Sequence, residues 1–288
     1  MANPLPHIES FFDPATFTVS HVLACPVTRR AALIDPVLDY DPKSGRTATH
    51  SAEKLLAVVQ SQGLQVDWLL ETHAHADHLS AAPWLQQRVG GRIGIGAGIG
   101  GVQQRFARLL DAPDLSGSGQ EFDQLFAGGE HFQLGELDIE VMATPGHTPA
   151  CVSYRVGQHV FVGDTLFMPD YGSARADFPG GNARELYRSI QKLLALPPDT
   201  QLHLCHDYPP ASRAPAWTCT VAEQRAHNVQ VHEGVDEASY VAMREARDAT
   251  LAAPVLLWPS LQVNLRAGHF PPANSEGLVH LKTPINVL

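Results

Sequence analysis

The sequence predicts an α/β protein with mixed sheets. Three observations carry that expectation. Short apolar runs alternate with stretches of helical periodicity. Several of the runs follow one another too closely for a helix to cross between them. Polar clusters rich in histidine stand just beyond the runs, where ligand sites of α/β proteins assemble along one edge.

In chain order, residues 16–24 and 31–34 read as strands. Residues 51–62 then place Leu55, Leu56, Val58 and Val59 on one side of a helix, with Gly63 as its stop signal. Residues 66–70 read as a strand, and 92–95 as another, followed by a helix over 102–110. Between these last two, Gly96, Gly98 and Gly101 satisfy GxGxxG. No βαβ unit with a suitably placed acidic residue surrounds that pattern, so it predicts a tight glycine-rich turn and no nucleotide. Residues 111–129, rich in Gly, Ser and Asp, predict a long loop.

Residues 137–142, 152–156 and 160–162 form a meander joined by short turns such as Gly157-Gln158, which predicts antiparallel pairing. Residues 183–196 carry Leu186, Tyr187, Ile190, Leu193 and Leu194 on one helical face, and Pro197-Pro198 ends that helix. Arg184, Arg188 and Lys192 on its other face read as a solvated stripe. Residues 201–205 predict a further strand. Pro254, Pro259, Pro271 and Pro272 predict an extended C-terminal arm over 254–288. With no internal repeat and no low-complexity linker, the reading is one domain, 1–288, with the arm packed on it.

The chain has 288 residues and 20 Lys+Arg against 30 Asp+Glu, a formal net charge of −10. That balance argues against binding a phosphate backbone. Hydrophobic residues make up 44% and charged residues 17%, enough apolar material to exclude disorder over any large part. No apolar stretch is long enough to span a membrane, and the start MANPLPHIESFF lacks the features of a secretory signal, so a soluble, cytoplasmic protein is expected. Cys25, Cys151, Cys205 and Cys219 have neither CxxC spacing nor a repeating pattern, which predicts buried reduced thiols.

The chemistry is concentrated in four clusters. Glu71-Thr72-His73-Ala74-His75-Ala76-Asp77-His78 follows the run 66–70 directly. His73, His75, Asp77 and His78 crowd a loop whose small alanines leave room for a metal ion. Packing such groups together without compensation would be costly, so metal binding is the expectation. His147 in Pro145-Gly146-His147-Thr148, Asp164 in Gly163-Asp164-Thr165, and His206 in His206-Asp207-Tyr208 occupy equivalent places beyond later strands. Cys151 has no His–Asn partnership and reads as a core thiol.

THAHADH, PGHT, GDT and CHD, in that order, resemble the metal motifs of the metallo-β-lactamase superfamily. The resemblance runs from about Phe11 to at least His206. It implies a four-layer αβ/βα sandwich with the metal site along one edge. Within that superfamily, Arg175-Ala176-Asp177-Phe178, His206-Asp207-Tyr208 and Asn264-Leu265-Arg266-Ala267-Gly268 resemble bacterial glutathione-dependent persulfide dioxygenases of the second class.

That likeness implies one Fe(II) per chain held by His73, His147 and Asp164, a 2-His-1-carboxylate face suited to a redox iron that binds substrate and O₂. His75, Asp77, His78, His206 and Tyr208 would then support the ligands. The substrate would be glutathione persulfide, oxidised with O₂ and water to sulfite and glutathione. Arg175, Arg213 and Arg266, together with Tyr171, are the donors expected to contact glutathione, because Arg recognises carboxylates bidentately. A homodimer is compatible with the fold.

The same residues admit a glyoxalase II-like hydrolase with two zinc ions. In that arrangement His73, His75 and His147 hold one metal, Asp77, His78 and His206 hold the other, and Asp164 bridges them. A non-enzymatic metal-binding module is the third reading, weakened by the density of adjacent histidines.

Overall fold

The computed structural model describes residues 4–287, so sequence readings that touch residues 1–3 and 288 lie outside it. From the N-terminus, β1 (His7–Phe12), β2 (Val19–Ala24), β3 (Arg30–Ile34), β4 (Val37–Asp41) and β5 (Arg46–Ala48) precede helix α1 (His50–Gln62). Next come β6 (Gln65–Leu70), β7 (Leu79–Ser80), α2 (Ala82–Val89), β8 (Arg92–Gly96) and α3 (Ile99–Leu109). The second half opens with β9 (Gln124–Phe126), β10 (His131–Leu134), β11 (Leu137–Ala143), β12 (Val152–Val156) and β13 (His159–Phe161). It closes with α4 (Ala183–Leu194), β14 (Gln201–His203), β15 (Thr218–Thr220), α5 (Val221–His227), α6 (Glu237–Asp248) and α7 (Leu257–Asn264).

Two six-stranded sheets, ordered β1-β2-β3-β6-β8-β9 and β10-β11-β12-β13-β14-β15, form the two inner layers. Both are mixed. β3, β6, β8 and β9 run parallel behind an antiparallel β1-β2-β3 edge. The meander β11–β13 is antiparallel, as its spacing predicts; β10 extends it antiparallel at the β11 edge, and β14 pairs parallel to β13. A small sheet, β5-β4-β7, stands beside them.

Alternation along the strands builds the layers, because successive side chains point to opposite faces. On the first sheet Ala32, Ile34, Trp68 and Leu70 join Ile139, Val141, Tyr154 and Phe161 of the second in a core between the sheets. Leu33 and Leu69 point the other way, into a core with α1, α2, α3 and α7. On the second sheet Met142, Val160 and Leu202 face α4, α5 and α6. The result is the four-layer αβ/βα sandwich.

Several boundaries differ from the sequence reading, each for a local reason. The strand expected over 16–24 begins only at Val19, since the Asp13 carboxylate accepts bonds from the Thr16 N–H (3.1 Å) and hydroxyl (2.7 Å) and holds a turn. The strand expected over 160–162 spans His159–Phe161, and that over 201–205 ends at His203. The helix after the glycine pattern starts at Ile99, not 102. Those glycines serve packing: a Cβ at Gly96 or Gly98 would overlap the carbonyls of Ala150 and Pro149. The loop expected over 111–129 contains β9. Arg184 and Arg188 both pair with Glu237 of α6, so their stripe joins two helices and is not simply solvated.

The largest correction concerns the C-terminal arm. Residues 254–288 are not extended from their start, because α7 buries Leu257, Leu261 and Val263 in the first helical core. After it, the Lys282 N–H donates to Gln262 Oε1 (2.7 Å) and Gln262 Nε2 to the Lys282 carbonyl (2.8 Å), tying the last stretch back. Among the described residues no helix is long and apolar enough to cross a membrane.

Candidate metal centre

Four strands running in compatible directions deliver the polar clusters to one edge. β3 and β6 are parallel, with Ile34 opposite Leu70, so Asp35 and the loop from Glu71 to His78 emerge side by side. β13 and β14 are parallel too, and their ends carry Asp164 and His206. The two sheets meet here: the Val152 N–H donates to the Thr72 carbonyl (2.9 Å) and the Val19 N–H to the Cys205 carbonyl (2.6 Å). His147 sits on the turn after β11. A Cβ at Gly146 would strike the backbone of Leu186, so only glycine lets that turn lie against α4.

His73, His75, His147, Asp164, His78 and His206 are all buried, and Asp77 is partly buried. One donor atom from each of His73, His147 and Asp164 lies within 4.8 Å of the other two. Asp164 Oδ2 is 3.9 Å from His73 Nε2 and 3.7 Å from His147 Nε2. The far nitrogens of both rings are engaged, His147 Nδ1 with the Arg175 carbonyl (2.8 Å) and His73 Nδ1 with the Thr72 hydroxyl (3.0 Å). Those bonds turn each Nε2 toward Asp164.

His75 belongs to different groupings: with Asp77 and His78, with Cys205 and His206, and with Asp35 and Glu71. Its Nε2 lies 2.9 Å from Asp35 Oδ1 and 3.5 Å from Glu71 Oε2. Asp35 is the functional residue the sequence reading missed. It also accepts from the Thr72 N–H (2.7 Å) and hydroxyl (2.9 Å), which fixes the start of the histidine loop. It stands directly after an apolar strand, the same signal that exposed the other clusters.

The local electrostatics follow from burial and crowding. Burial opposes the Asp35 carboxylate, yet the His75 charge and the bonds from His75 and Thr72 hold its pKa below the ordinary value. Burial likewise opposes the His75 cation, but Asp35 and Glu71 hold its pKa well above. Burial, reinforced by neighbouring histidines, keeps His73 well below its usual pKa and lowers His78 to about 4. Burial pushes Asp164 and Glu71 up. Cys151, buried, is raised to about 12 and stays a thiol, in line with its reading as a core residue.

These donors suit a cation. His73 Nε2, His75 Nδ1, Asp77 Oδ2, His78 Nε2, Asp164 Oδ1 and both nitrogens of His206 are buried without a well-directed hydrogen bond. Each such orphan costs on the order of 1–3 kcal/mol, and their convergence on one spot is what a metal ion would offset. Imidazole and carboxylate donors fit a first-row transition metal.

A cavity of about 600 Å³ opens over Asp77, His147 and Asp164. Tyr208 lines it, tilted against Phe17 (5.4 Å) and Tyr171 (4.9 Å) and stacked on the His206 ring (5.7 Å). Of the residues expected to meet glutathione, Tyr171 and Arg175 reach this cavity. Arg213 and Arg266 do not. Arg213 spans Asp207 (2.7 Å) and Asp170 (2.7 Å), and Arg266 is held by Asp114 (2.6 Å), so both cations are spent on structural pairs. Arg175 is itself paired with Asp177 (2.6 Å). Sequence reasoning also passed over Arg244 and Arg247, which line the cavity from α6.

A family profile described as "Metallo-beta-lactamase superfamily" matches residues 15–206. The chain is 54% identical to "Probable metallo-hydrolase BURPS1710b_2304" of Burkholderia pseudomallei, over 98% of this chain and 99% of that one. It is 30% identical to the human "Persulfide dioxygenase ETHE1, mitochondrial", over 70% of this chain and 68% of that one. The crystal structure of ETHE1 from Myxococcus xanthus superposes with a TM-score of 0.74 at 28% identity, covering 91% of this chain and 100% of that one.

Proposed function

The chain belongs to the metallo-β-lactamase superfamily, and on that premise we propose that it is a glutathione-dependent persulfide dioxygenase. It would oxidise glutathione persulfide with O₂ and water to sulfite and glutathione. The observation that carries this reading is the gathering of one donor each from His73, His147 and Asp164 within 4.8 Å, with His147 and Asp164 lining the cavity, while the Nε2 of His75 is engaged by Asp35 and Glu71. Two imidazoles and one carboxylate form the donor set of non-haem Fe(II) oxygenases. Likeness to the human and Myxococcus xanthus ETHE1 proteins supports the same choice.

When bound by His73, His147 and Asp164, ferrous iron would supply open coordination positions and the redox chemistry. The chain's own residues do the positioning. The Arg175 carbonyl holds the His147 ring through Nδ1, and Thr72 holds His73. Asp77 lines the cavity 3.2 Å from the buried His206 and is placed to orient water at the floor. Phe17, Phe167 and Tyr208 wall the cavity with aromatic surface. The chain acts in this reading as one catalytic unit, with Asn264 of α7 bracing the histidine loop.

A second reading, a dinuclear zinc thioester hydrolase, is favoured by one observation. His75, Asp77 and His78 also bring donors within 4.8 Å of one another, enough for a second metal. The name of the Burkholderia pseudomallei relative is compatible with it. Metal content on anaerobically purified protein, read with O₂ uptake on glutathione persulfide, separates the two. About one iron per chain with O₂ uptake supports the dioxygenase. Close to two zinc ions, no O₂ uptake and cleavage of S-lactoylglutathione would transfer the protein to the hydrolases.

A further inference from the structure

The cavity contains a cation that the protein leaves unmatched. Three arginines line it: Arg175, Arg244 and Arg247. Arg175 gives Nε and Nη2 to Asp177 (2.6 and 2.7 Å) and Nη1 to the Ala252 carbonyl (2.7 Å), so its charge is already matched by a carboxylate on its bidentate edge. Arg244 is buried, with Nε and Nη2 on Asp248 (2.9 and 2.6 Å) and Nη1 on the Ser173 carbonyl (3.2 Å). Arg247, one turn away on the exposed side of α6, meets no carboxylate among the described residues. Its guanidinium stands 5.8 Å over the Tyr171 ring, inside the same cavity that reaches His147 and Asp164. The carboxylates at the floor, Asp77 and Asp164, approach His206 Nε2 at 3.2 and 3.5 Å.

We propose that Arg247 is the carboxylate-binding subsite of this cavity for the glutathione-derived substrate. Its sulfur would face the His147–Asp164 floor and its carboxylate would pair with Arg247 over Tyr171. Phe17, Leu251 and Val255 also line the cavity and suit an uncharged part of the ligand. A guanidinium fork matches a carboxylate in two parallel bonds, and an aromatic face beneath it adds attraction for the cation. The sulfur end rests on the proposed dioxygenase function. The carboxylate end rests only on which arginines are already paired.

Calorimetric titration of the metal-loaded protein with glutathione and with glutathione diethyl ester tests this. The native protein should bind glutathione about 10- to 100-fold more tightly than the ester, the range expected for a charge-assisted bond gained or lost. Arg247→Gln should reduce glutathione to the level of the ester, and Arg247→Lys should recover part of the difference because it restores charge without the fork. An unchanged circular dichroism spectrum guards against misfolding, which an exposed helix position should not cause. Equal binding of acid and ester by the native protein, no binding of glutathione at all, or a preference that survives Arg247→Gln would each overturn the proposal. If the Arg247-dependent preference is found but no persulfide supports O₂ uptake, the subsite stands and the dioxygenase reading falls.

Discussion

Asn264, the last residue of α7, holds the histidine loop: its Nδ2 donates to the carbonyls of His75 (2.9 Å) and His78 (2.7 Å). Its Oδ1 accepts from the Ser80 N–H (2.8 Å), so one amide spans the loop and the strand that follows. The side chain is 189 residues from His75 in sequence and almost fully buried.

Asn264→Ala should therefore loosen the metal donors without removing any. Unpairing these backbone groups predicts a loss of about 1–3 kcal/mol in stability. Displacing the loop predicts about 10- to 100-fold weaker metal binding, as for other groups that support ligands from outside. Chelator competition and urea unfolding measure the two. Unchanged metal affinity would show that the loop keeps its shape unaided.

Asp164→Ala and His78→Ala should separate. Asp164 joins His73 and His147 in the compact donor group, and its loss should abolish metal retention. His78→Ala should keep one iron with activity lowered about 10- to 100-fold, the range for a supporting residue. Equal metal loss in both variants would argue that His78 is itself a ligand.

Arg266→Gln should affect stability and leave the substrate alone. It removes the bidentate pair with Asp114 and the bond to the Gln262 carbonyl, in a site where the arginine is buried and Asp114 one-third exposed. Allowing for solvent screening on the Asp114 side, the expected loss is about 1–3 kcal/mol, with KM for the persulfide unchanged. A raised KM at native stability would return Arg266 to the substrate contacts.

His21 should contribute to an acid limb of stability. Its ring is satisfied in the neutral form: Nε2–H donates to the Leu204 carbonyl (3.2 Å) and Nδ1 accepts from the Ser10 hydroxyl (2.8 Å). Burial lowers its pKa from 6.5 to about 4, against Asp35 and Leu204, which act to raise it. Because the unfolded chain takes up a proton first, this contribution is complete above pH 6.5. It is lost as the pH falls toward 4, by at most roughly 3 kcal/mol. Urea unfolding of the native protein and His21→Gln between pH 7.5 and 4.5 should show a shallower fall for the variant. Parallel curves would assign the acid limb to other groups.

Much of the frame was legible because its signals are local. Apolar runs of strand length, the meander spacing and the helix stop at Gly63, where φ is 61°, all act within a few residues. The histidine clusters were legible for the same reason, since each closes an apolar run. α7 was missed because Pro259 reads as a breaker. In the structure it falls in the first helical turn, where no intrahelical N–H is needed. Asp35 was missed because a lone Asp before Pro36 reads as a turn former until His75 is beside it.

The α/β class, the antiparallel meander and the residues able to bind a metal are readable from the chain alone, since periodicity and side-chain chemistry are properties of short segments, whereas the four-layer order is what the superfamily resemblance implies. Packing set the distances among the donors, bringing His73, His147 and Asp164 within 4.8 Å of one another and the Nε2 of His75 to 2.9 Å from Asp35. It alone decided which arginines are taken, through Asp114, Asp170, Asp177, Asp207 and Asp248, and that Arg247 is left open to the cavity. The physical reason is distance along the chain. A charge or an amide finds its partner only after sheets and helices have packed, and that partner can stand anywhere in the sequence.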